Sequence, residues 1–138
     1  MHESILVVDD NRDNRDLTQI LLECEGFEVR MAEDAPRALA VLETFRPAMI
    51  LMDVQLPGID GLELTRRLRR DPALHGVIIV ALSAYAMAAE MQNAREAGCN
   101  GYITKPINTR TFASVVRHYL DTKAAPGILE GESREPGS

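Results

Sequence analysis

Three carboxylates, a hydroxyl group and an ammonium group stand at or just beyond the ends of short apolar runs in this sequence. They belong to Asp9, Asp10, Asp53, Ser83 and Lys105. Clustered carboxylates repel one another, and a hard divalent cation such as Mg²⁺ removes that cost. A phosphoryl group on one carboxylate would then contact the cation, the ammonium group and the hydroxyl group. These residue types therefore favour magnesium-assisted phosphoryl transfer.

The elements that must bring these groups together follow from an alternation along the chain. Five short runs with strand character, at 5–8, 28–31, 49–52, 77–82 and 102–103, alternate with five amphipathic stretches. Strict alternation of strands and helices predicts an α/β fold, in which five helices cover both faces of a five-stranded parallel sheet.

The exposure pattern within each run predicts its position in the sheet. Runs one, three and four are apolar throughout, as strands buried on both faces must be. Run two alternates polar and apolar residues and run five is short, so both suit sheet edges. This pattern fits the doubly wound order 2-1-3-4-5, in which the first and third strands flank the crevice where the winding direction changes. Asp9, Asp10 and Asp53 should therefore converge there.

The helical stretches predict their own boundaries and faces. Leu17, Ile20, Leu21 and Cys24 are spaced as the buried face of the first helix, which Gly26 ends. Asp34 with Pro36 should open the second helix, and Asp60 the third. The two cysteines, Cys24 and Cys99, are interpreted as buried free thiols. The basic residues of the third helix, Arg66, Arg67, Arg69 and Arg70, are interpreted as a solvated face.

Composition places limits on the setting in which the chain works. Its 138 residues are enough for one domain, and its net charge of -6 argues against a general affinity for nucleic acid or anionic membrane. We find no signal-peptide pattern and no apolar run of membrane-spanning length, which predicts a cytoplasmic protein. Residues 1–121 should form the domain and 122–138 a flexible tail rich in Pro, Gly and acidic residues.

Four sequence blocks resemble the signature blocks of receiver domains in bacterial two-component signalling. They are VVDDN at 7–11, LMDVQLPGIDG at 51–61, LSAY at 82–85 and KP at 105–106. The resemblance covers about residues 5–120 and implies a flavodoxin-like receiver fold. Residues 84–87 and 98–99 are most similar to stand-alone receivers and to those of hybrid kinases.

The resemblance also implies a role for each acidic residue. Asp53 corresponds to the phosphoacceptor. Asp10 and Asp53 correspond to direct Mg²⁺ ligands, the backbone carbonyl of Gln55 to a third ligand, and Asp9 to a ligand that acts through water. Mg²⁺ is therefore the expected cofactor.

Further roles follow from the resemblance for residues of the last two strands. Ser83 corresponds to the switch hydroxyl group, which is more often that of a threonine. Lys105 corresponds to the phosphate-binding lysine, and the bond that joins it to Pro106 is expected to be cis. Tyr102 occupies the position of an aromatic ring that rotates between outward and inward states.

The function implied is that of a single-domain response regulator rather than a dedicated enzyme. It would accept a phosphoryl group from a histidine kinase or a histidine phosphotransfer protein, and signal by binding a downstream protein. It would be a monomer or weak dimer, without direct binding to DNA or membrane.

Three alternative functions share parts of this pattern. A haloacid-dehalogenase-type phosphohydrolase needs a second carboxylate two residues after its nucleophile, where this chain has Gln55. A flavodoxin-like cofactor binder needs a phosphate cradle rich in Gly, Ser or Thr, which the loops lack. A protein-binding adaptor could keep the fold without being phosphorylated, but the complete set of acids, hydroxyl and lysine argues against it.

Overall fold

A five-stranded sheet organises the part of the chain that the structure, a computed structural model, describes: residues 3–84 and 87–122. The strands are Ser4–Val8 (β1), Glu28–Ala32 (β2), Met49–Asp53 (β3), Ile78–Ser83 (β4) and Gly101–Thr104 (β5). The helices are Arg12–Glu23 (α1), Ala35–Leu42 (α2), Gly61–Arg69 (α3), Ala88–Ala97 (α4) and Phe112–Thr122 (α5), with a 3₁₀ helix at Pro72–Leu74.

The strand order is β2-β1-β3-β4-β5, and every neighbouring pair is parallel. This confirms the predicted fold class and order. One apolar cluster packs α2, α3 and α4 against one face of the sheet, and a second packs α1 and α5 against the other. Because β1, β3 and β4 contact both clusters, their side chains are buried almost throughout.

Side-chain caps start the first three helices. Asn11 accepts a hydrogen bond from the Asn14 amide at 2.9 Å, which opens α1 directly after the acid pair. Asp34 and Asp60 cap α2 and α3 in the same way, which confirms both predicted starts. Gly98, with φ +109°, ends α4 in the left-handed region where glycine is favoured.

The prediction for the buried face of α1 is wrong for Ile20 and Cys24, whereas Leu17 and Leu21 are partly buried and Leu21 packs against the core. The buried residues of this helix are Thr18 and Leu22, whereas Ile20 is 59% exposed and Cys24 is also exposed. At 100° per residue, Ile20 lies about 200° around the helix from Leu22, so the two cannot face the same sheet. The apolar spacing missed the centre of the buried face because threonine at position 18 does not count as apolar.

Arg69 is not part of a solvated face, unlike the exposed Arg66, Arg67 and Arg70. Its guanidinium donates to the carbonyl of Gly98 at 3.0 Å, to the carbonyl of Leu74 at 3.0 Å and to Oδ1 of Asn100 at 2.6 Å. Oδ1 of Asn100 also accepts the amide of Ile79 at 2.8 Å. Arg69 therefore connects the end of α3 to the α4–β5 turn and to the start of β4.

The C-terminal part of the domain ends in α5, which extends to Thr122. The first residue assigned to the predicted tail is therefore helical, and residues 123–138 lie outside the described residues. None of the helices in the described ranges is long and apolar enough to span a membrane.

Candidate functional site

The three carboxylates predicted to converge do meet at the carboxyl edge of the sheet. Asp9 directly follows β1 and Asp53 is the last residue of β3. One carboxylate oxygen from each of Asp9, Asp10 and Asp53 lies within 4.8 Å of the others. Asp9 and Asp53 are buried whereas Asp10 is exposed, so the cluster opens to solvent on the side of Asp10.

Local turns orient the two buried acids. Oδ1 of Asp9 accepts the amide of Asn11 at 2.9 Å, and Oδ1 of Asp53 accepts the amide of Gln55 at 3.0 Å. Each acid therefore bonds the backbone two residues further on, as Asp does in Asx turns. This arrangement uses one oxygen of each carboxylate and leaves Oδ2 to face the site.

Lys105 joins the two buried carboxylates. Its Nζ lies 3.0 Å from Oδ2 of Asp53 and 3.4 Å from Oδ2 of Asp9. The backbone amide of Lys105 donates to the carbonyl of Ser83 at 2.7 Å, which keeps the residue after β5 next to the end of β4. The bond between Lys105 and Pro106 is cis, as expected.

The site contains more negatively than positively charged groups. Burial, with a smaller contribution from the charge of Asp9, raises the pKa of Asp53 to about 6, although hydrogen bonds from Lys105 and Gln55 lower it. Burial alone would lower the pKa of Lys105, but its hydrogen bond with Asp53 and the charges of Asp53 and Asp9 raise it. One ammonium group faces three carboxylates, and carboxylate oxygens are the ligands that Mg²⁺ takes. The donor set therefore fits a divalent cation.

Ser83 and Tyr102 lie beside this cluster. Ser83 is the last residue of β4 and is buried, and it pairs with Thr104 across the β4–β5 ladder. Tyr102 pairs with Ala81 in the same ladder. Its side chain is fully buried in the cluster that packs α2, α3 and α4, so the ring lies inward here.

Two residues support the site in ways that the sequence did not predict. A Cβ atom on Gly61 would collide with the backbone carbonyl of Asp53 and lie 3.0 Å from Cγ of Met52. Glycine is required here because α3 begins against the end of β3. In the sequence, the only sign of this requirement was that Gly61 lies in the receiver-like block at 51–61. Arg15 donates from Nη1 to the backbone carbonyl of Asp9 at 2.8 Å, and no sequence signal marked it.

The comparison with known families agrees with this geometry. Residues 5–117 match the model of the response regulator receiver domain. The chain belongs to the response regulator receiver family. This membership excludes the phosphohydrolase and the flavodoxin-like cofactor binder, and it leaves the unphosphorylated adaptor as the alternative. Receivers of this type are signalling switches rather than dedicated enzymes.

Relatives of this receiver domain include proteins of similar size. The polar-differentiation response regulator DivK of Brucella anthropi is 37% identical over 120 residues, which cover 87% of this chain and 98% of DivK. The receiver fold of CheY4 from Vibrio cholerae superposes with a TM-score of 0.82 at 26% identity, over 86% of this chain and 98% of CheY4.

A third relative carries a metal ion. The receiver domain of the sensor histidine kinase PA1611 from Pseudomonas aeruginosa PAO1 has a TM-score of 0.78 and 30% identity to this receiver. The match covers 88% of this chain and 99% of that domain, whose structure has a magnesium ion coordinated in the active-site cleft.

Proposed function

We propose that this receiver domain is a single-domain response regulator that is phosphorylated on Asp53. The donor would be the phosphohistidine of a histidine kinase or a histidine phosphotransfer protein. The observation that carries the proposal is the position of Asp53 Oδ2, which faces the site within 3.0 Å of Lys105 Nζ and beside Asp9 and Asp10.

The residues that would hold Mg²⁺ are Asp10, Asp53 and the backbone carbonyl of Gln55, with Asp9 acting through water. When bound, the cation neutralises charge on the phosphoryl oxygens and on the acids. Oδ2 of Asp53 attacks phosphorus while Oδ1 remains bonded to the Gln55 amide. The donor phosphohistidine carries a proton on its other ring nitrogen, so that when the new O–P bond forms and the P–N bond breaks, the histidine leaves as neutral imidazole. Lys105 then moves from the Asp53 carboxylate to a phosphoryl oxygen.

The other properties proposed for this chain concern its partners and setting. The phosphorylated form would bind a downstream protein, and the chain would be a monomer or weak dimer in the cytoplasm. The net charge of -6 supports the absence of direct DNA binding. The domain would extend to the end of α5 at Thr122, and the flexible tail expected from the sequence falls on residues that lie outside the described ranges.

Asp53 is expected to be the only residue that forms a stable phosphoryl adduct. Incubation with acetyl phosphate and Mg²⁺, followed by intact-mass analysis, should give one adduct in the native protein and none in Asp53→Asn. Asp16→Asn, which removes an exposed carboxylate of α1, is the matched control and should be phosphorylated normally. An adduct retained by Asp53→Asn would place the phosphorylation site at another residue. No adduct in the native protein would favour the unphosphorylated adaptor.

We further propose that Ser83 and Tyr102 report the phosphoryl group to the distant face formed by α4, β5 and α5. The Ser83 hydroxyl would donate to a phosphoryl oxygen from the end of β4. Because Tyr102 is already buried here, phosphorylation would stabilise this inward state rather than create it. A charge-assisted hydrogen bond is worth about 1.5–3 kcal/mol, which biases a two-state equilibrium by roughly ten- to a hundredfold.

Ser83→Ala is expected to leave Asp53 phosphorylatable but to weaken this response. The measurement is the change in NMR chemical shifts around Tyr102 when beryllofluoride is added, compared between the native protein and the variant. Ser83→Thr keeps the hydroxyl group and should respond as the native protein does. Equal shifts in Ser83→Ala and the native protein would exclude Ser83 as the link.

A further inference from the structure

Arg15 reaches from the first turns of α1 to the end of β1. Its backbone amide bonds to the carbonyl of Asn11 at 3.0 Å, and its Nη1 donates to the carbonyl of Asp9 at 2.8 Å. Long side chains on a helix point back toward the helix N-terminus, which is why a residue one turn into α1 can reach this carbonyl. The side chain of Arg15 is half-buried, so the bond is partly shielded from water.

The Asp9 carbonyl controls the direction in which the chain continues to Asp10. A peptide unit is planar, so holding the oxygen of Asp9 also sets the direction of the Asp10 nitrogen and Cα. The other polar groups of Asp9 are already held, since its amide donates to Ala32 at 3.0 Å and its Oδ1 accepts from Asn11 at 2.9 Å. The exposed Asp10 carboxylate makes no hydrogen bond or ion pair with any described residue, so no side-chain partner holds it and the backbone sets the region that it can reach.

We infer that Arg15 is a positioning residue for the cation site, because it fixes the Asp9–Asp10 peptide plane and so aims the Asp10 carboxylate. Arg15 touches none of the three carboxylates and acts through the backbone. The inference rests on the proposed function, in which Asp10 is a direct Mg²⁺ ligand.

Because Arg15 is positively charged, the direction in which its removal changes Mg²⁺ affinity distinguishes two explanations. A guanidinium group repels a divalent cation, so removal of its charge alone would make Mg²⁺ bind more tightly. Loss of the hydrogen bond would let the Asp10 carboxylate move, so that Mg²⁺ would bind more weakly. The direction of the change therefore separates positioning from simple electrostatics.

The test is a Mg²⁺ titration of the unphosphorylated protein, followed by backbone amide NMR shifts near Asp10 and Asp53. Arg15→Met removes the donor and is expected to raise the Kd for Mg²⁺ three- to tenfold. The control is Arg12→Met, because Arg12 is exposed at the start of α1 and bonds to no described side chain. Its Kd should stay within twofold of the native value. The shifts are read from folded-state resonances, so partial unfolding of a variant does not alter the Kd.

A second readout separates placement of the cation from later steps. In phosphorylation by acetyl phosphate, Arg15→Met should need three- to tenfold more Mg²⁺ for its half-maximal rate, while its rate at saturating Mg²⁺ stays within about twofold of native. Should Arg15→Met not fold, Arg15→Gln loses the same charge and is too short to reach the Asp9 carbonyl, so the same weakening is expected. Unchanged or tighter Mg²⁺ binding in these variants would overturn the inference. A native protein that binds no Mg²⁺ would overturn the proposed function, and this inference with it.

Discussion

Asp53→Asn is expected to raise the free energy of unfolding by up to about 3 kcal/mol at pH 7.5 without divalent cations. Burial raises the pKa of Asp53 from 3.8 to about 6, so the folded protein holds an ionised carboxylate at a cost. A carboxyl pKa raised from 3.8 to about 6 corresponds to a cost of roughly 3 kcal/mol for the ionised form. The gain would be smaller if the amide nitrogen of the substituted side chain faces the ammonium group of Lys105, since both are donors.

The pH dependence of this gain follows from the direction of the shift. An acid whose pKa is raised on folding costs no stability below its unfolded pKa of 3.8, where it is protonated in both states. The cost develops as the pH rises from about 4 to about 6 and is constant above that range. Urea unfolding at several pH values should therefore give similar stabilities for the native protein and the variant below pH 4, and a growing difference up to pH 6 to 7.

Mg²⁺ and a second variant provide the controls. A cation that binds the folded native protein should stabilise it and reduce the difference, because Asp53→Asn lacks one of the proposed ligands. Asp16→Asn, at an exposed position on α1, should show neither the pH-dependent gain nor the effect of Mg²⁺. A variant less stable than the native protein at pH 7.5 would contradict the prediction.

Gly61→Ala is expected to destabilise the fold by about 2–3 kcal/mol or more. The added Cβ would collide with the backbone carbonyl of Asp53 and lie 3.0 Å from Cγ of Met52. The carbonyl belongs to the end of a central strand, so either α3 or the end of β3 must shift. The Gly61 amide also donates to the carbonyl of Val54 at 2.8 Å, and such a shift would weaken this bond.

Gly76→Ala is the matched control, because a Cβ there meets no atom within 4 Å and its φ is not positive. It should be neutral or stabilising by up to about 1 kcal/mol, since alanine has less freedom than glycine in the unfolded chain. Both variants can be compared by urea unfolding. Equal stabilities would mean that the contact between Gly61 and Asp53 is relieved at little cost.

The strand order was predictable because a central strand that is buried on both faces of the sheet has a different residue pattern from a more exposed edge strand. Met49–Asp53 and Ile78–Ser83 are buried at every position, and their sequences are almost continuously apolar. The strand Glu28–Ala32 lies at an edge, and its exposed Glu28 and Arg30 interrupt the pattern. The order of these strands then determines which of their carboxyl ends meet, so the cluster of acids was predictable as well.

Contacts that pass through backbone atoms were not predictable, since a carbonyl group leaves no mark in the sequence. Arg15 donates to the carbonyl oxygen of Asp9 at the end of the preceding strand, and Arg69 donates to that of Gly98, at the far end of α4. Nothing in the sequence distinguishes these two arginines from exposed arginines such as Arg66. The same limit applies to Gly61, because the atom that excludes a side chain there is the backbone oxygen of Asp53.

The rate at which Asn100 is deamidated should depend on the hydrogen bonds of its side chain. An asparagine followed by glycine, here Gly101, readily loses its side-chain amide, because the glycine nitrogen can attack the carboxamide carbon. Asn100 is 3% exposed, and its Oδ1 accepts hydrogen bonds from Arg69 and Ile79. The carboxamide cannot turn toward the next nitrogen while those bonds persist. Succinimide and isoaspartate should therefore form at Asn100 only when the contacts among α3, β4 and the start of β5 open. Their amount would then report how often this region has unfolded locally.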